Sequence, residues 1–374
     1  MTDIVVSPPS SAPKVEPTLV IPSPEAPVDD VPRRPSQGTG DDTMALVGSA
    51  AASLAVVWII YEGLLPFSGV LGFLVCWFLG FLALYAGVTA MSHPRPIVVD
   101  RVVGALVVGL ATVVGLALAS TVVYTVGKGW PALHHLNFLT KDMAGVGPQD
   151  PLTRGGIFHA IVGSLIELGI ATVVALPLGI GTAVFITEVG GRFARFVRTV
   201  IEAMTALPDI LAGLFIYTTL IVHLGVGRTG LAAACALSIM MTPIIARGAD
   251  VALRVVPGGL REAGTALGAS HWQTVWRVVL PTARPGLATA LILGLARAVG
   301  ETAPVLIASG ASTFLNYDPT SNPMNSLPLF TYSAVRSGEP LYIARGFGAA
   351  SVLLGLVLIL FVITRLIART RTSR

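Results

Sequence analysis

The sequence predicts an all-α, polytopic membrane protein with about eight transmembrane helices. Hydrophobic residues make up 53% of the 374 residues and charged residues only 12%, whereas soluble domains carry roughly 25% charged residues. The mean hydropathy is +0.79. Gly and Pro are abundant, at 40 and 26 residues, and both are more frequent in membrane-spanning helices than in soluble ones. This composition excludes a water-soluble globular protein.

Eight segments are apolar over the length of about 20 residues that a spanning helix needs. Pro66 and its neighbours alone separate the first two, so we expect an extra N-terminal transmembrane hairpin over residues 44–91. Residues 1–43 hold nine Pro and almost no aromatic residue, which predicts a disordered, Pro-rich cytoplasmic tail. The eight predicted spans are approximately residues 44–65, 67–91, 101–126, 158–187, 199–222, 229–249, 285–309 and 347–367.

The positions of the basic residues predict the orientation, since Lys and Arg favour cytoplasmic loops. With the N-terminus inside, 17 of the 24 Lys and Arg fall in inside segments, six fall outside and Arg297 falls within a span. We therefore expect both termini in the cytoplasm and lipids around the spans. The net charge of +4 is too small over so apolar a chain to indicate nucleic-acid binding. Two long outside loops, 127–157 and 310–346, could meet an extracytoplasmic partner.

Sequence motifs for catalysis and for nucleotide binding are missing. No stretch matches the phosphate-binding pattern of Gly, four residues, Gly-Lys and Ser or Thr, so the chain is not expected to bind ATP that way. Cys76 and Cys235 lie inside apolar runs, where a thiol acts as a small hydrophobe. We therefore expect no catalytic residue, no metal site and no cofactor in this chain.

The large inside loop carries the most informative pattern. Leu260, Ala263 and Leu267 recur at helical spacing and predict a short amphipathic helix, which a tight turn separates from a second apolar helical turn. Gly264 and Gly268 are four residues apart, and we expect them on one helix face that another protein could approach closely. A helix resting on lipid headgroups is the alternative, and spacing alone does not decide between the two.

This loop resembles the cytoplasmic coupling motif of bacterial ABC importer permeases: Glu-Ala-Ala, three residues, Gly, nine residues, Ile, one residue, Leu-Pro. The chain departs from the motif only at Gly264, for Ala, and Val278, for Ile. The resemblance implies a type I importer fold with six core helices, a permease domain over residues 98–374 and a coupling segment over 257–281. The matching residues are Glu262, Ala263, Gly264, Gly268, Leu280 and Pro281.

The same resemblance implies partners and a location. The permease would pair with a homologous permease subunit in the bacterial plasma membrane. Two copies of a cytoplasmic ATP-binding subunit would use the ATP, and an extracytoplasmic binding protein would deliver the substrate. The helices over 44–91 lie outside the shared core.

Charged residues within predicted spans are functional candidates, because a charge at the centre of a membrane costs about 2.5 to 3.5 kcal/mol. Arg297 and Glu301 are expected to share a helix face, with Arg297 about 18 Å beyond Pro285 and so near mid-depth. The planar guanidinium suits a tetrahedral oxyanion. A self-neutralising ion pair is the structural alternative. Glu167 could face the pathway or another subunit, and Asp209, after Pro208, is expected mainly to begin a helix.

Residues 296–304, which include Arg297 and Glu301, resemble the corresponding span of phosphate-specific importer permeases. Residues 207–214 resemble a second segment of that subfamily, although Asp209 is unexpected there. The resemblance implies that phosphate is the anion and that an extracytoplasmic phosphate-binding protein supplies it. Two alternatives remain: a stand-alone secondary anion transporter with an ion relay of Glu167, Arg297 and Glu301, or a membrane signalling or scaffold protein.

Overall fold

The computed structural model describes residues 40–64 and 69–368, and their regular secondary structure is α-helical and π-helical. The predicted tail lies outside the described residues, apart from four residues that begin the first helix. The described helices are α1 Gly40–Trp58, α2 Val70–Ser92, α3 Arg95–Leu133, α4 Leu136–Thr140, α5 Phe158–Val184, α6 Gly191–Ala206, α7 Asp209–Ile216, α8 Gly230–Arg254, α9 Gly258–Ala266, α10 His271–Thr274, α11 Leu280–Val299, α12 Ala303–Ala308, α13 Leu327–Val335 and α14 Pro340–Ala368. Short π-helical segments follow α1, α5, α7 and α10.

Seven helical stretches in the described part are long and apolar enough to cross a membrane. The number is up to eight if the bent pair of α6 and the helix after it counts as one span. The predicted fold class is therefore confirmed. Two spans are longer than predicted, since α3 covers 39 residues and α14 begins at Pro340.

Two predicted spans, 199–222 and 285–309, contain a break: the restart of a helix after Pro208 was predicted, whereas the break in the second span was not. The helix over Gly191–Ala206 and the one over Asp209–His223 meet at an angle of 100°. Pro208 causes the first break, because it lacks an N–H donor and holds Leu207 in an extended conformation. The second break follows Gly300, where α11 ends before the short α12.

The first of two compact units ends at Val114, within α3. In this unit α1 packs on α2, and the Trp77 indole donates to the Ala50 carbonyl oxygen at 3.1 Å. Arg101 of α3 pairs with Asp42 of α1 at 2.7 Å. The helices of the predicted hairpin are thus present, whereas its separation from a permease domain at residue 98 stays a prediction.

The second unit, from Gly115 onwards, is built around α8, which packs against α5 and α11. Small residues allow these helices to approach closely, as is usual between membrane helices. A Cβ atom on Gly179 of α5 would lie 2.7 Å from the Ile245 side chain, and one on Gly294 of α11 would lie 2.8 Å from it. This packing holds α8 and α11 at fixed positions and so positions the charged residues that they carry.

The two long loops that the sequence predicts to lie outside pack together around buried hydrophobic residues. Arg345 of α14 is 1% exposed and donates to three backbone carbonyl groups of residues 150–154 at 2.9 to 3.0 Å. These bonds fix the first loop against α14. The buried hydrophobic residues of this cluster include Phe138, Met143, Ile157, Leu327 and Phe330.

Candidate functional site

Arg297 and Asp209 meet where two broken helices face each other. Arg297 lies two residues before the end of α11, and Asp209 is the first residue of α7. The Arg297 Nη2 atom donates to Asp209 Oδ2 at 2.5 Å. Asp209 begins a helix after Pro208, as predicted, but the sequence analysis did not foresee that its carboxylate would pair with Arg297.

Glu301 is the second carboxylate beside Arg297. The prediction that these two residues share a helix face is wrong, because α11 ends at Val299 and Glu301 lies in the break before α12. The two side chains are nevertheless close, with 3.8 Å between Arg297 Nε and Glu301 Oε1. The break, and not a helical repeat, therefore brings Glu301 to Arg297.

A close contact at Gly213 brings the two interrupted helices next to each other. Gly213 lies one turn after Asp209 on α7, and a Cβ atom at this position would lie 2.6 Å from the Cα atom of Pro304 in α12. Only a residue without a side chain fits so close to another backbone. This contact places the start of α7 beside the end of α11, and hence Asp209 beside Arg297.

The cluster opens onto a cavity of about 850 Å³, which includes space open to solvent. A second arginine, Arg247 of α8, lines the same cavity, and the sequence analysis missed it because Arg247 was counted with the inside segments. Its position within the predicted span 229–249 was the available signal. The other lining residues include Met204, Thr205, Met240, Pro243, Ile244 and Leu293.

The electrostatics of this cavity suit a mobile anion. The Arg297 side chain is 53% exposed, whereas those of Asp209 and Glu301 are 26% and 18% exposed. The guanidinium can therefore meet a ligand while both carboxylates stay at its side. Asp209 accepts from a donor that an oxyanion could use, and Glu301 lies beside the same guanidinium without a hydrogen bond to it, so an oxyanion bound to Arg297 would compete with Asp209 first.

Glu167 lies deeper, in the core of the chain. Its side chain is 1% exposed, so it does not reach another subunit, which was one of its two predicted environments. Its Oε1 atom is buried and has no hydrogen-bond partner among the described residues. Glu167 and Glu301 both line a small cavity, together with Ser164 and Ser326. A role for Glu167 in the pathway stays a prediction.

The coupling segment forms the predicted short helix, α9, followed by a tight turn. The second apolar turn, α10, continues through a π-helical turn into α11, so that one helical stretch runs over His271–Val299. Ser270 caps it: its hydroxyl accepts from the Gln273 N–H group, and the Gln273 side chain accepts from the Ser270 N–H group. The coupling segment is therefore continuous with the helix that carries Arg297.

The two glycines of the coupling segment have separate roles, and the prediction that they share a helix face is wrong. The helix ends at Ala266, and Gly268 follows it with φ of +84°. A Cβ atom on Gly264 would lie 2.9 Å from the Thr274 side chain, so Gly264 lets α9 pack on its own chain rather than on a partner. Gly268 supplies the left-handed turn that reverses the chain.

The rest of the motif divides between an open surface and a packed helix. Glu262, Ala263 and Gly268 are exposed, and the neighbouring Leu267 is 90% exposed. We call these four residues the coupling patch. Leu280 and Pro281 are half-buried at the start of α11. Among the matching motif residues, Glu262, Ala263 and Gly268 are thus the ones open to another protein, with Leu267 beside them.

No group of three or more His, Cys, Asp or Glu in the described part of the chain is arranged to hold a metal ion. The site is therefore interpreted from its arginines, carboxylates and hydroxyl groups.

Residues 175–373 match the family of binding-protein-dependent transport system inner membrane components. The chain belongs to this family. The match includes Asp209, Arg297, Glu301 and the whole coupling segment.

Curated relatives extend the similarity beyond that match. The chain is 39% identical over 230 residues to the phosphate transport system permease protein PstA 1 of Mycobacterium tuberculosis, which covers 61% of this chain and 75% of the relative. It is 31% identical over 260 residues to the phosphate transport system permease protein PstA of Haemophilus influenzae, covering 69% and 89%. Among solved structures, the MetNI methionine ABC transporter matches with 24% identity, covering 58% of this chain and 95% of that one, at a TM-score of 0.46.

Proposed function

We propose that this chain is the phosphate-conducting permease subunit of an ATP-driven importer. The observation that carries the proposal is the half-exposed Arg297, held by Asp209 and Glu301 at the junction of two broken membrane helices and open to a cavity. The relatives that are phosphate transport permeases favour phosphate over other oxyanions.

In the proposed mechanism, phosphate enters the cavity and replaces the Asp209 carboxylate on Arg297. Arg247, on the same cavity, offers a second guanidinium to the anion. When the anion leaves, Asp209 again accepts from Arg297, and Glu301 stays beside it as a second negative charge. Exchange between ligands of like charge keeps the half-exposed guanidinium paired throughout, and this lowers the cost of releasing the anion.

The chain is expected to make no bond change itself, since ATP hydrolysis would belong to a separate cytoplasmic subunit that binds the coupling patch. Two copies of that subunit, a homologous permease subunit and an extracytoplasmic phosphate-binding protein complete the proposed complex. The distribution of Lys and Arg supports cytoplasmic termini and a cytoplasmic coupling patch in a bacterial plasma membrane.

Uptake of labelled phosphate tests this function in cells that lack their own phosphate importer and express the chain with its partner subunits. Phosphate uptake that requires the ATP-binding subunit is the expected result. Uptake without that subunit would support the stand-alone transporter instead. An assembled complex that takes up no phosphate would support the signalling or scaffold alternative.

A further inference from the structure

A cluster of charge-assisted hydrogen bonds joins the coupling helix α9 to two other helices. Arg261 of α9 donates to Glu188 Oε1 from Nη2 at 2.9 Å and from Nε at 3.3 Å. It also donates to the carbonyl oxygens of Val256 and Leu253 at 2.8 and 3.0 Å. One side chain therefore binds the end of the helical stretch that begins with α5 and the end of α8.

The Glu188–Arg261 ion pair is largely shielded from water, which strengthens it. The Glu188 side chain is 4% exposed and that of Arg261 is 28% exposed, so water competes weakly for either group. The last carbonyl groups of a helix have no partner of the regular helical repeat, and Arg261 donates to one of them, that of Leu253, and to the carbonyl of Val256 just beyond the end of α8. His271, which begins α10, lies 3.9 Å from the second Glu188 oxygen.

Arg261 lies on the face of α9 that packs against the rest of the chain, next to the exposed coupling patch. Arg261 precedes Glu262 of the coupling patch and lies one turn from Gly264, which packs on Thr274. One face of α9 thus contacts its own chain, while the coupling patch faces outward. A force applied to the patch therefore reaches the rest of the chain through the inward face of α9 as well as through the turn into α10 and α11.

Glu188 links that inward face to the membrane core. It lies in the π-helical turn Phe185–Val189, which continues α5, and the whole stretch Phe158–Val189 is one candidate span. α5 packs against α8 and carries Glu167 near the cavity that Glu301 lines. A displacement of Glu188 therefore acts on the helices beside the proposed phosphate site.

We propose that the Glu188–Arg261 pair transmits movement of the coupling helix to α5, so that ATP hydrolysis is coupled to transport. This inference rests on the proposed function. A planar guanidinium bound to acceptors on two helices resists sliding in a way that apolar contacts do not. Arg261 and Glu188 are positioning residues, since neither faces the cavity of Arg297.

The test measures phosphate transported per ATP hydrolysed by the purified complete complex in liposomes, with the phosphate-binding protein present. Glu188→Gln keeps the size of the side chain and removes its charge, and Arg261→Lys keeps the charge and removes the fork. We expect this ratio to fall by about tenfold in Glu188→Gln, within the usual range of coupling between two sites, while ATP hydrolysis continues. Arg261→Lys is expected to give a smaller fall.

Arg254→Gln is the matched control. Arg254 lies on α8 near the same end, is half-exposed and pairs with Asp250 within its own helix at 3.0 Å. Its removal changes the charge without cutting a connection between helices, so the parental ratio is expected. The double variant Glu188→Gln with Arg261→Gln should be no worse than Arg261→Gln alone, because both changes break one connection.

The inference would be overturned if Glu188→Gln and Arg261→Lys both transported as much phosphate per ATP hydrolysed as the parental complex. It would also be overturned by a ratio that stays constant while uptake and hydrolysis fall together with the yield of assembled complex. If Glu188→Gln prevents assembly, Arg261→Lys decides the question. Failure of the parental complex to move phosphate with ATP would instead refute the proposed function, so the two failures are distinguishable.

Discussion

Replacing Arg297 by Gln removes the guanidinium at the junction of the broken helices and keeps a polar side chain. We expect phosphate uptake to fall by the factor worked out below while the complex still assembles. The variant leaves Asp209 and Glu301 without the cation that they share, and Arg247 alone then offers a guanidinium to the cavity, so the cavity attracts an anion less strongly.

The size of the loss follows from the geometry. Two unit charges about 4 Å apart interact by about 1 kcal/mol in water and about 4 kcal/mol at an effective dielectric constant of about 20. Since the Arg297 side chain is 53% exposed, the lower half of this range applies. About 1 to 2.5 kcal/mol corresponds to a decrease in uptake of roughly 5- to 60-fold, because each 1.4 kcal/mol is about tenfold. A half-exposed ion pair adds only about 0 to 1 kcal/mol to stability, so folding is expected to persist.

The assay is uptake of labelled phosphate, normalised to the amount of assembled complex. Arg297→Lys keeps the charge but not the planar fork, and it should restore uptake in part. Arg254→Gln is the control, since Arg254 is also half-exposed and also pairs with an aspartate, but lines no part of the cavity. Equal uptake in Arg297→Gln and Arg254→Gln would refute the reasoning and leave Arg297 as half of a structural ion pair.

Three further predictions concern the coupling patch, the competing carboxylate and the buried glutamate. Gly268→Arg should uncouple transport, since a long side chain would hold the ATP-binding subunit away, and Glu262→Lys should weaken the same contact by reversing a charge; co-purification of that subunit and phosphate uptake measure both effects. Gly268→Ala is the control for the backbone strain at φ of +84°, and equal loss in both Gly268 variants would show that strain, not the contact, is responsible. Asp209→Asn should tighten phosphate binding by about fivefold or more, since it removes a competitor for Arg297, and calorimetry on the permease pair in nanodiscs tests this. An unchanged affinity would show that Asp209 does not compete. Glu167→Gln should assemble normally, whereas Glu167→Lys should lose the folded complex, because it places an unpaired cation at a position that is 1% exposed. Size-exclusion chromatography distinguishes the two Glu167 variants, and normal assembly of Glu167→Lys would contradict the buried position.

Much of the fold could be predicted, because the apolar runs of membrane helices leave little choice of secondary structure. The positions and angles of the helix breaks were harder to predict from the sequence. Pro208 signalled a restarting helix, but a proline alone does not tell a kink from the observed 100° bend. The second break, after Gly300, was harder to predict, because the spacing of Arg297 and Glu301 is as compatible with a continuous helix as with the observed break.

For the site, too, single residues could be predicted from the sequence, whereas contacts between distant residues could not. Arg297 and Glu301 could be proposed because charges are rare within spans, and the structure brings them together. The pair of Arg297 with Asp209 joins residues 88 positions apart and depends on the contact between Gly213 and Pro304. Local patterns contain no information about such a long-range contact. The role of Arg261 could not be predicted for the same reason, since its partner Glu188 is 73 positions away.

Accumulation of labelled phosphate in liposomes that contain the purified complex tests the central claim most directly. The account predicts accumulation only when ATP and the phosphate-binding protein are both present, and much slower accumulation when this chain carries Arg297→Gln. Accumulation without ATP, or none in an assembled complex that hydrolyses ATP, would contradict it.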